Sequence, residues 1–104
     1  MVLVKEKEKE KAICKEFPNG SKYWRLNNDK LHREDGAAIE YAYGDKSWYI
    51  NGKLHREDGP AMEWDQGRRL GWFLNGKQYK EKDYWKELYK RKKITKTELF
   101  LRLI

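Results

Sequence analysis

The chain has 104 residues, enough for one small domain, and a net charge of +7. Charged residues make up 39% and mean hydropathy is −1.14, yet 14% of the chain is aromatic, which excludes a purely disordered chain. No apolar run approaches the roughly 18 residues of a membrane-spanning helix, and the single Cys14 excludes an internal disulfide.

The start, Met1-Val2-Leu3-Val4, passes at once into alternating Lys and Glu and is too short for a signal peptide. With one cysteine, the expected setting is a reducing cytoplasm. As a strand, the Lys/Glu run sorts all Lys to one side and all Glu to the other. Residues 11–17 are read as the first strand, with Cys14 as a small buried thiol.

From residue 17 a repeat organises the chain. Trp24, Trp48 and Trp72 recur every 24 residues, each followed three positions on by Asn27, Asn51 or Asn75. The block Lys30-Leu31-His32-Arg33-Glu34-Asp35-Gly36-Ala37-Ala38 returns as Lys53-Leu54-His55-Arg56-Glu57-Asp58-Gly59-Pro60-Ala61. A third copy opens at Trp72 and diverges after Lys77. Asn-Gly and Asp-Gly pairs punctuate the repeat and suit tight turns with positive φ. The segments between them alternate apolar and polar, which predicts about eight short antiparallel strands, two per repeat.

Period two places Trp24 with Leu26, Trp48 with Ile50 and Trp72 with Leu74 on one face. Ile39, Tyr41, Met62 and Trp64 are assigned to that face as well, completing the expected core. Tyr23, Arg25, Tyr49 and Phe73, with Ala38, Glu40, Ala61 and Glu63, are assigned to the other. A slip of one residue reverses such an assignment. Beyond residue 80 the spacing of Tyr84, Trp85, Leu88 and Tyr89 predicts an amphipathic helix over 81–93, covering an end of the sheet with Trp85 and Leu88. Residues 94–104 fit either a strand or a helix; we read a helix capped by Thr97. The whole is one mainly β domain, residues 1–104. It is an antiparallel meander of hairpins (17–80) between a charged N-terminal segment (1–16) and a helical basic C-terminal segment (81–104).

The string Trp48-Tyr49-Ile50-Asn51-Gly52-Lys53-Leu54-His55-Arg56-Glu57-Asp58-Gly59-Pro60-Ala61 resembles the MORN repeat family. It is closer still to the "NGK-x-HREDGPA" variants found in phage and large DNA virus proteins. The likeness spans residues 17–80. The Gly-x-Gly after His in typical MORN units is replaced here by Arg-Glu-Asp-Gly, and the first repeat lacks the Asn-Gly turn. The resemblance implies consecutive hairpins in a curved sheet that serves as a binding scaffold, associated with protein and sometimes lipid contacts, and no catalysis.

His-Arg-Glu-Asp has catalytic residue types, but two copies in adjacent repeats point to structure. Asp35 and Asp58 can accept turn N–H groups, Arg33 and Arg56 can pair with Glu40 or Glu63 or with each other's turn carboxylates, and His32 and His55 can stack beside Trp. Cys14, His32 and His55 show no metal-ligand spacing, so neither a metal nor a cofactor is expected.

Two surfaces are candidates for binding. Residues 17–76 hold nine Lys/Arg and nine Asp/Glu, whereas residues 77–104 hold ten against four. Lys86, Lys90, Arg91, Lys92 and Lys93 concentrate that excess, with Lys86, Lys90 and Lys93 at helical spacing as one basic stripe. The ladder of Arg25, Tyr49 and Phe73, with Tyr23, can stack unpaired bases; alternatively, that face packs under the C-terminal helix. The expectation is a non-enzymatic binding protein. By analogy with the phage variants, it is an inhibitor or modulator of a host nucleic-acid-handling complex, of the anti-CRISPR or other anti-defence type. The expected partner is a host protein or ribonucleoprotein with an acidic surface. The alternatives are direct binding of single-stranded RNA or DNA, or a MORN-type protein or membrane-surface adaptor; a membrane partner is not expected.

Overall fold

The computed structural model describes residues 11–104. Among the described residues nine short strands are followed by two helices: β1 (Ile13–Glu16), β2 (Lys22–Arg25), β3 (Ile39–Glu40), β4 (Lys46–Ser47), β5 (Tyr49–Ile50), β6 (Lys53–Leu54), β7 (Met62–Trp64), β8 (Arg69–Leu74), β9 (Lys77–Tyr79), α1 (Glu81–Lys90) and α2 (Lys96–Leu103). The main sheet runs β1-β2-β3-β4-β7-β8-β9, antiparallel throughout, with β5-β6 as a separate hairpin. The fold is thus mainly antiparallel β with a C-terminal helical segment, as expected. The Lys/Glu run before residue 11 lies outside the described residues.

Each repeat uses one strand twice. The first part of the strand joins the main sheet. The second part pairs with its own short return: β5 with β6, the end of β8 with β9, and Arg25 with Leu31 in the first repeat. Asn51-Gly52 and Asn75-Gly76 turn these returns with φ of 49° and 81°, and 50° and 83°. Positive φ at both central residues matches the twist of the flanking strands. The first turn, one residue longer, closes with Asp29 at φ 68°.

The register corrects the face assignment of the return strands. Tyr23 lies opposite Ile39, Ile39 opposite Ser47, Ser47 opposite Met62, and Met62 opposite Gly71. Directly opposed residues share a face. Ile39, Tyr41, Met62 and Trp64 therefore belong with Tyr23, Arg25, Tyr49 and Phe73. Ala38, Glu40, Ala61 and Glu63 belong with the three Trp residues. The reason is steric as well as topological. Ala38 and Ala61, the cross-strand neighbours of Trp24 and Trp48, are fully buried, so a small residue is required opposite each indole.

The repeat Trp residues are half-buried rather than core. The best-buried cluster sits at the C-terminal end, where Leu74, Tyr84, Trp85 and Leu88 pack together with Trp72, Tyr79, Ile94 and Leu99 against them. Trp85 and Leu88 thus close an end of the sheet as expected. Helix α1 stops at Lys90, short of 93. The amide of Lys93 reaches the Leu88 carbonyl (2.8 Å) and that of Lys92 the Tyr89 carbonyl (2.9 Å), with Lys92 at φ 60°. This is the Schellman ending, with Lys where Gly is usual. Residues 96–103 are helical, but the cap is Thr95, not Thr97: the Glu98 amide donates to Thr95 Oγ1, and the Thr95 amide donates to Glu98 Oε1. Cys14 is exposed, not buried, because β1 is the edge strand and all four of its residues are exposed.

Candidate functional site

The His-Arg-Glu-Asp turns repeat their geometry almost atom for atom. The Arg33 guanidinium lies 3.8 Å over the Trp24 ring, and that of Arg56 lies 3.9 Å over Trp48. Arg33 Nε donates to Asp35 Oδ1 (3.0 Å), while its Nη1 donates to the Ala37 carbonyl and to Glu40 Oε2 (both 3.1 Å). Arg56 does the same with Asp58 (2.8 Å), the Pro60 carbonyl and Glu63 (both 3.0 Å). The planar fork of arginine is what lets one side chain stack and donate in several directions. A Cβ at Gly36 or Gly59 would come within 2.9 or 3.0 Å of the guanidinium carbon, which explains both glycines. The expected Arg–Glu pairs form. The aspartates, however, accept from arginine, and arginine rather than histidine stacks on the indole.

The histidines join successive repeats. His32 Nδ1 accepts the Asn51 amide and His55 Nδ1 accepts the Asn75 amide, each at 2.9 Å. An acceptor at Nδ1 puts the proton on Nε2, which faces Glu34 (3.3 Å) or Glu57 (3.0 Å). The Arg33 amide also donates to the Tyr49 carbonyl, and the Arg56 amide to the Phe73 carbonyl. Helix α1 closes the second turn: the Tyr84 hydroxyl donates to the Arg56 carbonyl and accepts from the Gly59 amide at 3.3 Å. Burial, with the nearby Asp58 carboxylate adding to it, pushes the Tyr84 phenol up to about 12. An open cleft of about 980 Å³ lies between the two turns, but its arginines and histidines are already engaged in these bonds.

The opposite face of the sheet has a different character. Tyr23, Tyr41, Tyr49, Trp64 and Phe73 are half-buried there, while Ile39 and Ser47 beneath them are buried. The Trp64 indole N–H donates to Ser47 Oγ on the neighbouring strand (3.2 Å), so the ring lies across the sheet. A Cβ at Gly71 would stand 2.8 Å from the Phe73 ring, so that ring also lies back over the sheet. At the β1 end, Phe17, Tyr23, Tyr41 and Tyr43 line a shallow groove of about 510 Å³. Tyr23 meets Phe17 and Tyr41 edge-on, and Tyr41 stacks on Tyr43. Burial, with a hydrogen bond that the Tyr41 hydroxyl donates to Tyr23, pushes the Tyr41 phenol up to about 12.

The residues selected from the sequence fall on two surfaces. Arg25, Tyr49 and Phe73 share the aromatic face, with Arg25 5.1 Å over the Tyr23 ring. Helix α1 packs on the Trp72/Leu74 side of β8, so it does not bury that face as one expectation had it. The basic stripe is broken. Lys86 and Lys90 are exposed on α1, but Lys93 lies past its end, 3.9 Å from Glu57. Arg91 pairs with Glu87 at 2.8 Å, which lowers the Glu87 carboxyl and raises the guanidinium, and Lys92 serves the helix end. Trp64 and Tyr41 were missed as surface candidates because the one-residue slip had put them in the core. Comparison with protein-family models, curated proteins and solved structures yields no match.

Proposed function

We propose that this chain is a non-enzymatic binding protein that engages its partner with the aromatic face of the sheet. The observation that carries the reading is that this face holds half-exposed rings, those of Trp64 and Phe73 lying over the sheet, with no helix among the described residues over them. Exposed aromatic surface of that kind usually marks a partner. The turn residues with catalytic chemistry are engaged in holding the repeats together, which supports binding over reaction. The excess positive charge favours an acidic partner. An anti-defence inhibitor acting on a host nucleic-acid-handling complex remains the cellular setting suggested by the phage-type likeness.

The test is affinity capture from a bacterial lysate, with and without nuclease, using wild type and two variants. Trp64→Leu/Phe73→Leu removes rings from the face, and Lys86→Glu/Lys90→Glu reverses the exposed lysines of α1. Loss of capture in the first variant, with most capture kept in the second, is the expected result. The opposite pattern moves the binding surface to the helix, the reading that the exposed Lys86 and Lys90 favour.

A further inference from the structure

The two faces of the sheet treat charge differently. On the Trp face, Glu16 lies opposite Lys22, Lys22 opposite Glu40, Glu40 opposite Lys46 and Lys46 opposite Glu63. Every cation on that ladder meets a carboxylate across the strands; Lys53 and Lys77, on the hairpin returns at the rim of that face, lie opposite Ile50 and Leu74. On the aromatic face, Lys15 lies opposite Tyr23, Arg25 opposite Ile13 and Arg69 opposite Trp64. Among the described residues no strand position on this face carries a carboxylate. Asp45 and Asp65 sit in the turns beyond β3 and β7.

We infer that the aromatic face is a stacking platform for single-stranded nucleic acid. The inference rests on that face being the binding surface and names the class of ligand it takes. Bases stack on any flat ring, and Trp64 and Phe73 present theirs because Ser47 and Gly71 let them lie against the sheet. Arg25 over Tyr23 adds a guanidinium plane of the kind on which bases also stack. Lys15, Arg25 and Arg69, which face no carboxylate across the strands among the described residues, supply counter-charge for phosphates at both ends of the ring array. β2 to β8 spans four strand intervals in the order β2-β3-β4-β7-β8, roughly 19 Å at the usual spacing. That suits a short site of about four nucleotides, and a duplex, whose bases are hidden, has nothing to stack.

The experiment is fluorescence anisotropy of the full chain with labelled 12-mers of uridine, of thymidine and of a DNA duplex. Expected is binding to the single strands with little to the duplex; the RNA and DNA arms identify which is preferred. Three cations predict a slope of log affinity against log salt of about −2. Trp64→Leu and Phe73→Leu should each weaken binding about tenfold or more, Trp64→Phe should keep most of it, and Lys86→Glu/Lys90→Glu should leave the slope unchanged. Circular dichroism of each variant separates lost binding from lost fold. No single-strand binding at low salt, equal duplex binding, or undiminished binding by folded ring variants overturns the inference. If the ring variants still lose nuclease-resistant capture in that case, the face is a protein-binding surface, and only the ligand class has failed.

Discussion

Replacing Arg56 with Lys keeps the charge and removes the planar fork, so it isolates what the guanidinium contributes to the repeat. Arg56 stacks on Trp48 at 3.9 Å and donates to Asp58, the Pro60 carbonyl and Glu63. Its side chain is 20% exposed, that of Glu63 35% and that of Asp58 84%. The Asp58 pair is therefore largely screened and contributes a few tenths of a kcal/mol. The bond to the Pro60 carbonyl contributes roughly 1 kcal/mol and the cation–π contact about the same. A lysine ammonium can keep one ionic contact, to Glu63. The net loss is then about 2 kcal/mol, or a fall in Tm of about 10 °C for a domain of this size. Urea denaturation followed by Trp fluorescence gives the stability directly. Arg33→Lys removes the same set of contacts from the first repeat and should cost the same within about 0.5 kcal/mol. If both variants lie within about 0.5 kcal/mol of wild type, the arginines do not brace the repeats, and their conservation of geometry in both turns needs another explanation, including chemistry.

Three further outcomes follow from single contacts. Tyr84→Phe leaves the Arg56 carbonyl and Gly59 amide without their hydroxyl and should cost about 1–3 kcal/mol at neutral pH in chemical denaturation. Because the folded-state phenol is raised to about 12 from an ordinary 10, its stabilisation is complete below pH 10 and is lost as pH rises towards 12. The alkaline fall in wild-type stability should therefore be shallower in Tyr84→Phe, and an unchanged profile contradicts the assignment. His55→Asn places an oxygen near the Nδ1 position and should retain most of the bond from the Asn75 amide, whereas His55→Leu should cost about 1–2 kcal/mol; equal losses in thermal melts would show that the acceptor is irrelevant. Lys92→Gly relieves a side chain at φ 60° and should stabilise the chain by about 1 kcal/mol, while destabilisation would mean that the Lys92 side chain holds something the helix end needs.

The repeat was legible because its Trp, Asn-Gly and His-Arg-Glu-Asp-Gly spacings are long and specific, and they map onto strands, turns and braces in the structure. The faces of the return strands were not. Alternation states which residues share a face with one another, and the length of the Asp-Gly turn decides which side that is. A usable signal was present: Arg33 and Glu40, and Arg56 and Glu63, can pair only if the glutamates lie on the Trp face, and that places Tyr41 and Trp64 opposite. The Thr95-Lys96-Thr97-Glu98 capping box is readable too, because a Glu three residues on marks Thr95 rather than Thr97 as the cap. The end of α1 was not readable, because Lys92 occupies a position where glycine would have announced the stop.

Hydroxyl-radical footprinting of the full chain, free and bound to the partner recovered by capture, tests the central claim most directly. The account predicts reduced modification of Tyr23, Tyr49, Trp64 and Phe73 in the complex, with Trp48, His55 and Tyr89 unchanged. Protection confined to Trp48 and His55, with Tyr49, Trp64 and Phe73 modified as in the free chain, would place the partner on the His-Arg-Glu-Asp turns and contradict it.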